Sequence, residues 1–499
     1  MKNNERSVFI GAGFINNQIP WVLPIVIGYC KKNNITNIIL DRKVPDVLLK
    51  LDYLTNDLKN FNILYLSDVK FYFKFKYIAY LFSTINFIFQ IFFFTFFLTK
   101  NKFKKILKKN NTKNIRLFHN IWDSSILFMN DKSFYPTIFN RLKAAVLVFY
   151  FKQLSIFLKK KKICAFFLNH DVYYYQQLSD EINKKKEVYI QAMFTFYKQK
   201  TTTTSWNTAL NKNVFFKIKK NINRSNVDNY FRLREKGKGL GETYHSIRYK
   251  QYLKNKKIEN VIFLHTFKDS PYLIIDKKRI FIDYYDWIFE TLNIIKNSEE
   301  KWLLKIHPGA KLWGEDQFLI IKNIVKKLNL QKNIGKNIFI DSRTPSWILL
   351  KNAKRVVTFN GTVHAEAVSY GIRPIIISKC PLNFYSLKST LKPKNIGEYD
   401  FFLKQPSTSI IFRSSNKEIE LSRFFLYFGE MLISLRNDLN LEFILKCDAK
   451  NKLDNDLKNS LFYSKKKYDF LNLLGANMQK YNCTMSQKLF NIYNSFYIK

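Results

Sequence analysis

Two segments of this chain each join a short apolar run to a polar loop, and they restrict its fold more than any other feature. Residues 301–309 read KWLLKIHPG, and residues 355–378 read RVVTFNGTVHAEAVSYGIRPIIIS. Such runs are typical of buried parallel strands. The first stops at His307-Pro308-Gly309 and the second at Asn360-Gly361-Thr362. Because ligands bind at the carboxyl ends of strands in open α/β sheets, the loops predict a site for a phosphorylated ligand, with a nucleotide as first candidate.

The length and charge of the chain limit its class. With 499 residues it is long enough for two domains, and 47% hydrophobic and 17% aromatic residues exclude a largely disordered protein. The formal charge of +45 comes from lysines scattered along the whole chain, without a recognisable motif for RNA or DNA. We therefore expect no specific nucleic-acid partner. An anionic membrane surface or a phosphate-bearing substrate fits this charge better.

The cysteines indicate reduced thiols in the cytosol. They are odd in number, far apart and without metal-like spacing, at Cys30, Cys164, Cys380, Cys447 and Cys483. This pattern argues against a disulfide framework and against a zinc site, so no metal ligands are predicted. We also expect no signal peptide, because the first apolar run is short and leads directly into a glycine turn.

Alternating strand and helix patterns predict two α/β domains followed by helices. A strand at Ser7–Ile10, a helix at about 17–31 and a strand at Asn37–Leu40 form a βαβ opening. We place the first domain at residues 1–240 and treat the polar stretch at about 198–238 as a loop or inter-domain region. The second domain is placed at 255–410, and the rest, 411–499, is predicted to be helical.

An uncharged, Phe-rich run at Tyr77–Leu98 is followed by a cluster of lysines. Its length would permit a membrane span. However, Ser83, Asn86 and Gln90 place a polar stripe on one helical face, which favours a helix lying in the membrane interface. A helix buried inside the domain is the other alternative.

Histidine is scarce, and its placement is therefore informative. Of six histidines, His170, His265 and His307 each follow a predicted strand. A histidine at a strand end faces the ligand side of such a sheet, so we interpret these three as functional.

The donor half of the predicted site is built from the two loops. Pro308 fixes the backbone after His307, whose imidazole can donate a hydrogen bond or a positive charge to a phosphate oxygen. Thr362 is predicted to be the N-cap of a helix at Val363–Tyr370, whose N–H groups would face an anion. Glu366 is either an acceptor for a ribose or base, or part of a solvated helix face.

The catalytic half is assigned to two other loops. The segment from His265 to Pro271 offers an imidazole, hydroxyls and the Asp269 carboxylate, which together suit a sugar or a phosphate. In the first domain, His170 with Asp171 could supply a general base for an acceptor hydroxyl. Asp171 is equally well explained as a helix N-cap.

These segments resemble the glycosyltransferases of bacterial capsule and surface-polysaccharide biosynthesis, including Kdo transferases. The resemblance is carried over most of residues 163–403 by LHTFKDSP (264–271), DYYDW (283–287), KIHP (305–308) and FNGTVHAEAVSYG (359–371). It implies a GT-B-like α/β fold, with two Rossmann-type domains facing a cleft and C-terminal helices. It also implies that His307 contacts the donor phosphate, that Thr362 with its helix end holds the same group, and that Glu366 lies near the nucleoside. The neighbouring residues of the two loops, Lys305, Pro308, Asn360 and Gly361, are predicted to bind the donor with them.

The resulting expectation is a transferase that moves a sugar from a nucleotide donor, with CMP as one candidate nucleotide, to a glycan or lipid-linked acceptor. Because His307, nearby lysines and the helix end can offset the leaving-group charge, we expect neither a cofactor nor a metal. The expected location is cytoplasmic, peripheral at the inner face of the membrane. The rivals are a polyol-phosphate transferase, a nucleotide-sugar epimerase of similar fold, and a non-catalytic scaffold of polysaccharide assembly.

Overall fold

The fold is taken from a computed structural model that describes twelve segments and a few single residues between them. These are residues 6–11, 19–41, 58–66, 113–129, 136–159, 162–168, 186–192, 195–198, 224–235, 258–268, 280–378 and 389–434, with 78, 85, 178, 182 and 219.

The first sheet has six strands in the order β3-β2-β1-β4-β5-β6. The strands are β1 Ser7–Gly11, β2 Asn37–Leu40, β3 Asn62–Tyr65, β4 Ile163–Leu168, β5 Glu187–Ala192 and β6 Thr195–Lys198. All neighbours pair in parallel except β5 and β6, which are antiparallel. This is the Rossmann strand order, so the predicted βαβ opening is confirmed.

Three described helices lie between β1 and β4 in the sequence. They are α1 Ile19–Lys32, α2 Lys113–Ile126 and α3 Ile138–Lys159. The core of the first sheet joins Phe9 and Phe166, which are fully buried, to Leu154 and Leu158 of α3. Helix α3 therefore covers part of the sheet, although the sequence pattern had not identified it.

The second sheet has five strands, all parallel, in the order β11-β10-β7-β8-β9. The strands are β7 Asn260–Phe263, β8 Trp302–Lys305, β9 Ile338–Asp341, β10 Arg355–Thr358 and β11 Ile375–Ile376. The chain starts in the middle at β7, adds β8 and β9 on one side, and then returns to add β10 and β11 on the other. The strand order thus reverses between β7 and β10, which is the topological switch point of the sheet.

Over the described residues, seven further helices follow in the sequence. They are α4 Arg224–Glu235, α5 Tyr284–Ile295, α6 Gln317–Lys327, α7 Ser346–Asn352, α8 Val363–Ser369, α9 Ile396–Lys404 and α10 Asn416–Ser434. Short 3-10 turns occur at Ala310–Trp313, Gln331–Asn333 and Ile410–Phe412. Val261, Leu303 and Val356 from three strands pack with Ala367 of α8 in one core cluster. Two Rossmann-type α/β units are therefore present, as the sequence predicted.

The chain divides into two compact units that differ from the predicted domain boundaries. One unit contains residues 1–90, 145–218 and 431–499, and the other contains 91–144 and 219–430. The loop predicted at about 198–238 is wrong for Arg224–Glu235, which forms α4. Its helical period was hidden by a strongly polar composition, since Val227 and Phe231 are its buried residues. Helix α4 groups with the second unit.

Several predicted features fall partly or wholly outside the described residues. The run at 77–98 lies outside them except for Ile78 and Ile85, so its relation to a membrane stays a prediction. Residues 435–499 also lie outside them, whereas α10 confirms a helix after residue 415. Within the segments that the structure describes, no helix combines the length and the apolar character needed to cross a bilayer.

Candidate binding site at the carboxyl edge of the second sheet

The carboxyl ends of the five strands of the second sheet are aligned. Phe263 pairs in register with Lys305 and with Thr358, and the same row continues to Asp341 on β9 and Ile376 on β11. A polar residue follows each strand at the second position beyond this row. Across the sheet these residues are Ser378, Asn360, His265, His307 and Arg343.

Three members of this polar row were predicted from the sequence, and two of them border the switch point. His265 follows β7 and Asn360 follows β10, so they flank the place where open α/β sheets bind their ligands. His307 follows the neighbouring strand β8. The sequence reasoning missed Arg343 and Ser378, although their position after a strand was a signal that could have found them.

His307 lies in a tight turn that fixes its ring. The amide of Ala310 donates to the carbonyl of His307 over 3.1 Å, which places Pro308 at the second position of a β-turn. The amide of Gly309 donates to Nδ1 of His307 over 3.0 Å. Because Nδ1 accepts this bond, the proton of a neutral ring must be on Nε2. The ring is therefore arranged to donate a hydrogen bond through Nε2.

The ring of His265 lies between two other rings. Its centroid is 5.5 Å from that of His307, with an angle of 32° between the planes, and 4.8 Å from that of Tyr284. Its Nδ1 is 3.3 Å from the carbonyl oxygen of Thr266, which can only accept. The hydroxyl of Thr266 lies 3.4 Å from the same Nδ1 and can donate to it, so Nδ1 of His265 faces both an acceptor and a donor on Thr266. The rings of His265 and His307 are thus neighbours at the carboxyl edge of the sheet.

Tyr284 connects the histidines to the loop after β10. Its hydroxyl donates to Oδ1 of Asn360 over 3.0 Å, and its ring packs edge-on against Phe359 with centroids 4.3 Å apart. Since Oδ1 of Asn360 accepts this bond, the amide NH2 of Asn360 is left as the donor for a ligand. Tyr284 was absent from the predicted site, although it belongs to the DYYDW segment that carries the family resemblance.

The start of α5 sets the position of Tyr284. Asp283 is the N-cap residue, and its Oδ1 accepts from the amide of Asp286 over 2.8 Å. The other oxygen, Oδ2, lies 3.2 Å from Nε1 of Trp122 in α2, which donates to it. The first helical residue is Tyr284. The preceding Asp283 accepts a hydrogen bond at each of its carboxylate oxygens and therefore holds Tyr284 at the edge of the sheet.

Thr362 occupies the predicted N-cap position, but its hydroxyl makes no capping hydrogen bond. Its carbonyl accepts from Ala365 over 2.9 Å, so the backbone alone starts α8, which is seven residues long. At the other end, Gly371 has a φ of +86° and donates to Val368, while Ile372 donates to Ala367. These bonds form a Schellman motif, in which Gly371 ends the helix.

The carboxylate of Glu366 is held by two side chains and is not part of a solvated helix face. Its Oε1 is 2.7 Å from Nη2 of Arg234 in α4, and its Oε2 accepts from the hydroxyl of Ser346 over 2.7 Å. The interpretation as a solvated helix face is therefore wrong, because the side chain is only 12% exposed. Contact of Glu366 with a nucleoside stays a prediction.

Lys305 forms a buried ion pair. Its Nζ lies 3.0 Å from Oδ2 of Asp341, and the side chains are 8% and 10% exposed. Burial lowers the pKa of Lys305 from its usual value, while Asp341 opposes this change. Asp341 also accepts from the amide of Thr344, so the pair is part of the turn that follows β9.

The remaining predicted site residues cannot be placed by the described structure. His170, Asp171 and Asp269 lie outside the described residues, and their roles stay predictions. Over the ranges that are described, no cluster of three or more His, Cys, Asp or Glu side chains could hold a metal ion.

Comparison with known proteins gives only distant structural likenesses. No protein-family profile matches the chain, and no curated protein is similar to it in sequence. The UDP-GlcNAc 2-epimerase of Methanocaldococcus jannaschii, solved with UDP-GlcNAc and UDP, is 12% identical with a TM-score of 0.25, over 85% of this chain and 100% of that one. The UDP-GlcNAc 2-epimerase of Neisseria meningitidis bound to UDP-GlcNAc is 9% identical with a TM-score of 0.24, over 86% and 99%. A glycosyltransferase from Rickettsia africae ESF-5 is 10% identical with a TM-score of 0.21, over 99% of each chain. At such scores, none of these likenesses bears on the activity of the chain.

Proposed function

We propose that this chain is a GT-B glycosyltransferase that transfers a sugar from a nucleotide-activated donor to a glycan or lipid-linked acceptor of a surface polysaccharide. One observation carries the proposal. His265, His307 and Asn360, from three loops of the second unit, meet at the switch-point edge of a Rossmann-type sheet. That edge is where this class of sheet binds nucleotides.

The hydrogen-bonding groups of the polar row suit a donor phosphate as leaving group. In transfer, the bond between the sugar carbon and the phosphate oxygen breaks, and the acceptor oxygen forms a new bond to that carbon. Negative charge then develops on the departing phosphate. The Nε2–H of His307 and the amide NH2 of Asn360 donate hydrogen bonds to it, and donors fixed before the reaction stabilise such charge without reorganising.

A base must take the proton of the acceptor hydroxyl. On the donor side, the imidazole of His265 is one candidate. His170 with Asp171 is the other, on the sequence prediction for the first unit. The proposed acceptor is presented at the inner face of the cytoplasmic membrane, where the basic chain of net charge +45 would be attracted to anionic lipid.

Nucleotide binding is the first test. Thermal unfolding would be followed with CMP, UDP and their sugar conjugates, for the wild-type chain and for His307→Ala and Asn360→Ala. A nucleotide at a hundredfold excess over its Kd stabilises by about 2.7 kcal/mol, and both variants are expected to lose most of that gain. Lys322→Ala, an exposed position on α6, is the matched control and should keep it. A scaffold protein would show no nucleotide-dependent gain at all.

Product analysis then separates the enzymatic alternatives. A transferase releases free nucleotide only when an acceptor is present and extends that acceptor by one sugar. An epimerase converts the nucleotide-sugar without an acceptor, and a polyol-phosphate transferase leaves a phosphodiester in the product. Mass determination of the acceptor product decides among these outcomes.

A further inference from the structure

The side chain of Gln317 joins the two histidine loops. Its Oε1 accepts from the backbone amide of His307 over 2.9 Å, and its Nε2 donates to the backbone carbonyl of His265 over 2.9 Å. Gln317 is the first residue of α6 and is 2% exposed. One buried carboxamide therefore bonds to both loops of the predicted site.

The carboxylate of Glu315 also binds the loop after β7. Its Oε2 accepts from the amide of Phe267 over 3.0 Å and from Nε2 of Gln317 over 3.0 Å. Its Oε1 accepts from the amide of Lys268. Both oxygens of the Glu315 carboxylate accept hydrogen bonds, and the residue is 5% exposed. The carboxylate therefore fixes the backbone of Phe267 and Lys268, which follow the His265-Thr266 pair.

The backbone between the His307 turn and α6 places the side chains of Glu315 and Gln317. Gly314 has a φ of +63°, a left-handed conformation that favours glycine, and its carbonyl accepts from Nζ of Lys268 over 2.7 Å. The amide of Glu315 donates back to the carbonyl of Ala310 over 3.0 Å. The segment from Ala310 to Glu315 thus folds back toward the loop after β7, which contains Lys268.

We propose that Gln317 and Glu315 are positioning residues, which set the spacing of the His265 and His307 rings and thereby their action on the donor phosphate. This inference rests on the proposed function for its catalytic consequence, although the spacing itself is a property of the free protein. The contacts require a carboxamide at position 317, because one planar group must both donate and accept. The rings whose spacing it sets are 5.5 Å apart.

The test replaces Gln317 with methionine, which fills a similar volume but makes neither bond. Histidine ring nitrogens labelled with 15N report the tautomer and surroundings of each ring in the ligand-free protein. We expect the signals of both His265 and His307 to move in Gln317→Met. We also expect kcat to fall by about tenfold to a hundredfold, because misplaced reacting groups cost that much, with a smaller change in KM for the nucleotide-sugar.

A second variant and a control keep the test decisive. In Glu315→Gln one backbone donor loses its acceptor, so the His265 signal should move while the His307 signal stays near its wild-type position. Asp316→Ala lies between the two residues and removes the cap of α6, an Oδ1 that accepts from Leu319 over 3.0 Å. It should lower the Tm without moving either signal.

Three outcomes would overturn the inference. The first is wild-type ring signals in Gln317→Met, and the second is an equal movement of the signals in Asp316→Ala. The third is displaced rings with wild-type kcat on a turnover assay, which would remove the catalytic consequence. If no nucleotide-sugar is turned over even by the wild type, the proposed function fails, while the ring signals still decide the spacing.

Discussion

The amide of Gly309 donates to Nδ1 of His307 over 3.0 Å, and this bond explains why the turn carries a glycine. The φ of Gly309 is −80°, which any residue can adopt. A side chain is disfavoured by proximity, because a Cβ at this position would lie 3.2 Å from both Cε1 and Nδ1 of the His307 ring. Glycine is therefore favoured at this position by the nearby His307 ring and not by the backbone conformation.

Gly309→Ala should reduce activity without strain in the backbone. The added methyl group forces the His307 ring to shift by a few tenths of an ångström. We expect kcat to fall by about tenfold, since a displacement of 1 Å costs on the order of a hundredfold, with little change in Tm. Gly335→Ala is the contrasting variant, because its φ is +82° and no atom lies within 4 Å of the new Cβ. It should lose about 1–2 kcal/mol of stability and keep its kcat.

Tyr284→Phe removes the hydroxyl that donates to Asn360 and keeps the ring that contacts His265 and Phe359. Without the tyrosine hydroxyl, the Asn360 amide is no longer held in one orientation. The loss should be about 0.5–1.5 kcal/mol, or roughly threefold to tenfold in nucleotide affinity measured by calorimetry. Tyr285→Phe alters the next residue, whose ring packs on Phe267 instead. An equal loss of affinity in that control would contradict the assigned role of Tyr284.

The strand ends and their polar residues could be predicted because their signal is local. An apolar run followed by His307-Pro308 or by Asn360-Gly361 can be recognised within ten residues, and β2 was predicted with the observed bounds. The alternation of apolar runs with helical periods also predicted the fold class. Strand β3 was missed because it is only four residues long, and its apolar residues, Ile63, Leu64 and Tyr65, are only partly buried.

The partners that hold the site could not be predicted in the same way. Tyr284 and Asn360 are 76 residues apart, and Gln317 and His265 are 52 apart. Pairings of this kind depend on the strand order, which places the β7, β8 and β10 loops side by side. A glutamine at the start of a helix has no pattern that separates it from a solvated residue, and only the folded chain shows its burial.

Lys305→Ala should cost stability more than it costs nucleotide binding. Removing the ammonium leaves the buried Asp341 carboxylate without its charge partner, and breaking such a pair costs about 3–5 kcal/mol. Chemical denaturation would measure this loss. Lys354→Ala breaks the pair with Glu259, whose side chains are 47% and 33% exposed, and should cost about 1 kcal/mol or less. A stable Lys305→Ala protein with lost nucleotide affinity would instead support the predicted contact of Lys305 with the donor.

The Arg234–Glu366 pair should contribute more to the docking of α4 than the neighbouring Lys351–Glu235 pair. The first is 15% and 12% exposed, and the second is 45% and 34% exposed. Arg234→Ala should therefore cost about 1–3 kcal/mol, and Lys351→Ala about 0–1 kcal/mol. Denaturation curves compare the two. If Glu366 also contacts the nucleoside, Arg234→Ala will change nucleotide affinity, whereas Lys351→Ala will not.

The buried carboxylate of Glu315 should give the protein a distinctive pH dependence. Burial raises the pKa of Glu315 above its usual 4.5, although its hydrogen bonds from Lys268, Gln317 and Phe267 act in the opposite direction. Just above that pH the folded chain keeps a proton that the unfolded chain has released, so this group makes the free energy of unfolding fall as the pH rises. Glu315→Gln cannot titrate, and we expect its stability relative to the wild type to improve as the pH rises from about 4.5 toward neutrality. The lowered pKa of Glu235, held down chiefly by its hydrogen bond from Lys351, acts equally in both proteins and cancels in the difference. Thermal unfolding of both proteins between these pH values measures that difference, and parallel curves would show that Glu315 has no raised pKa.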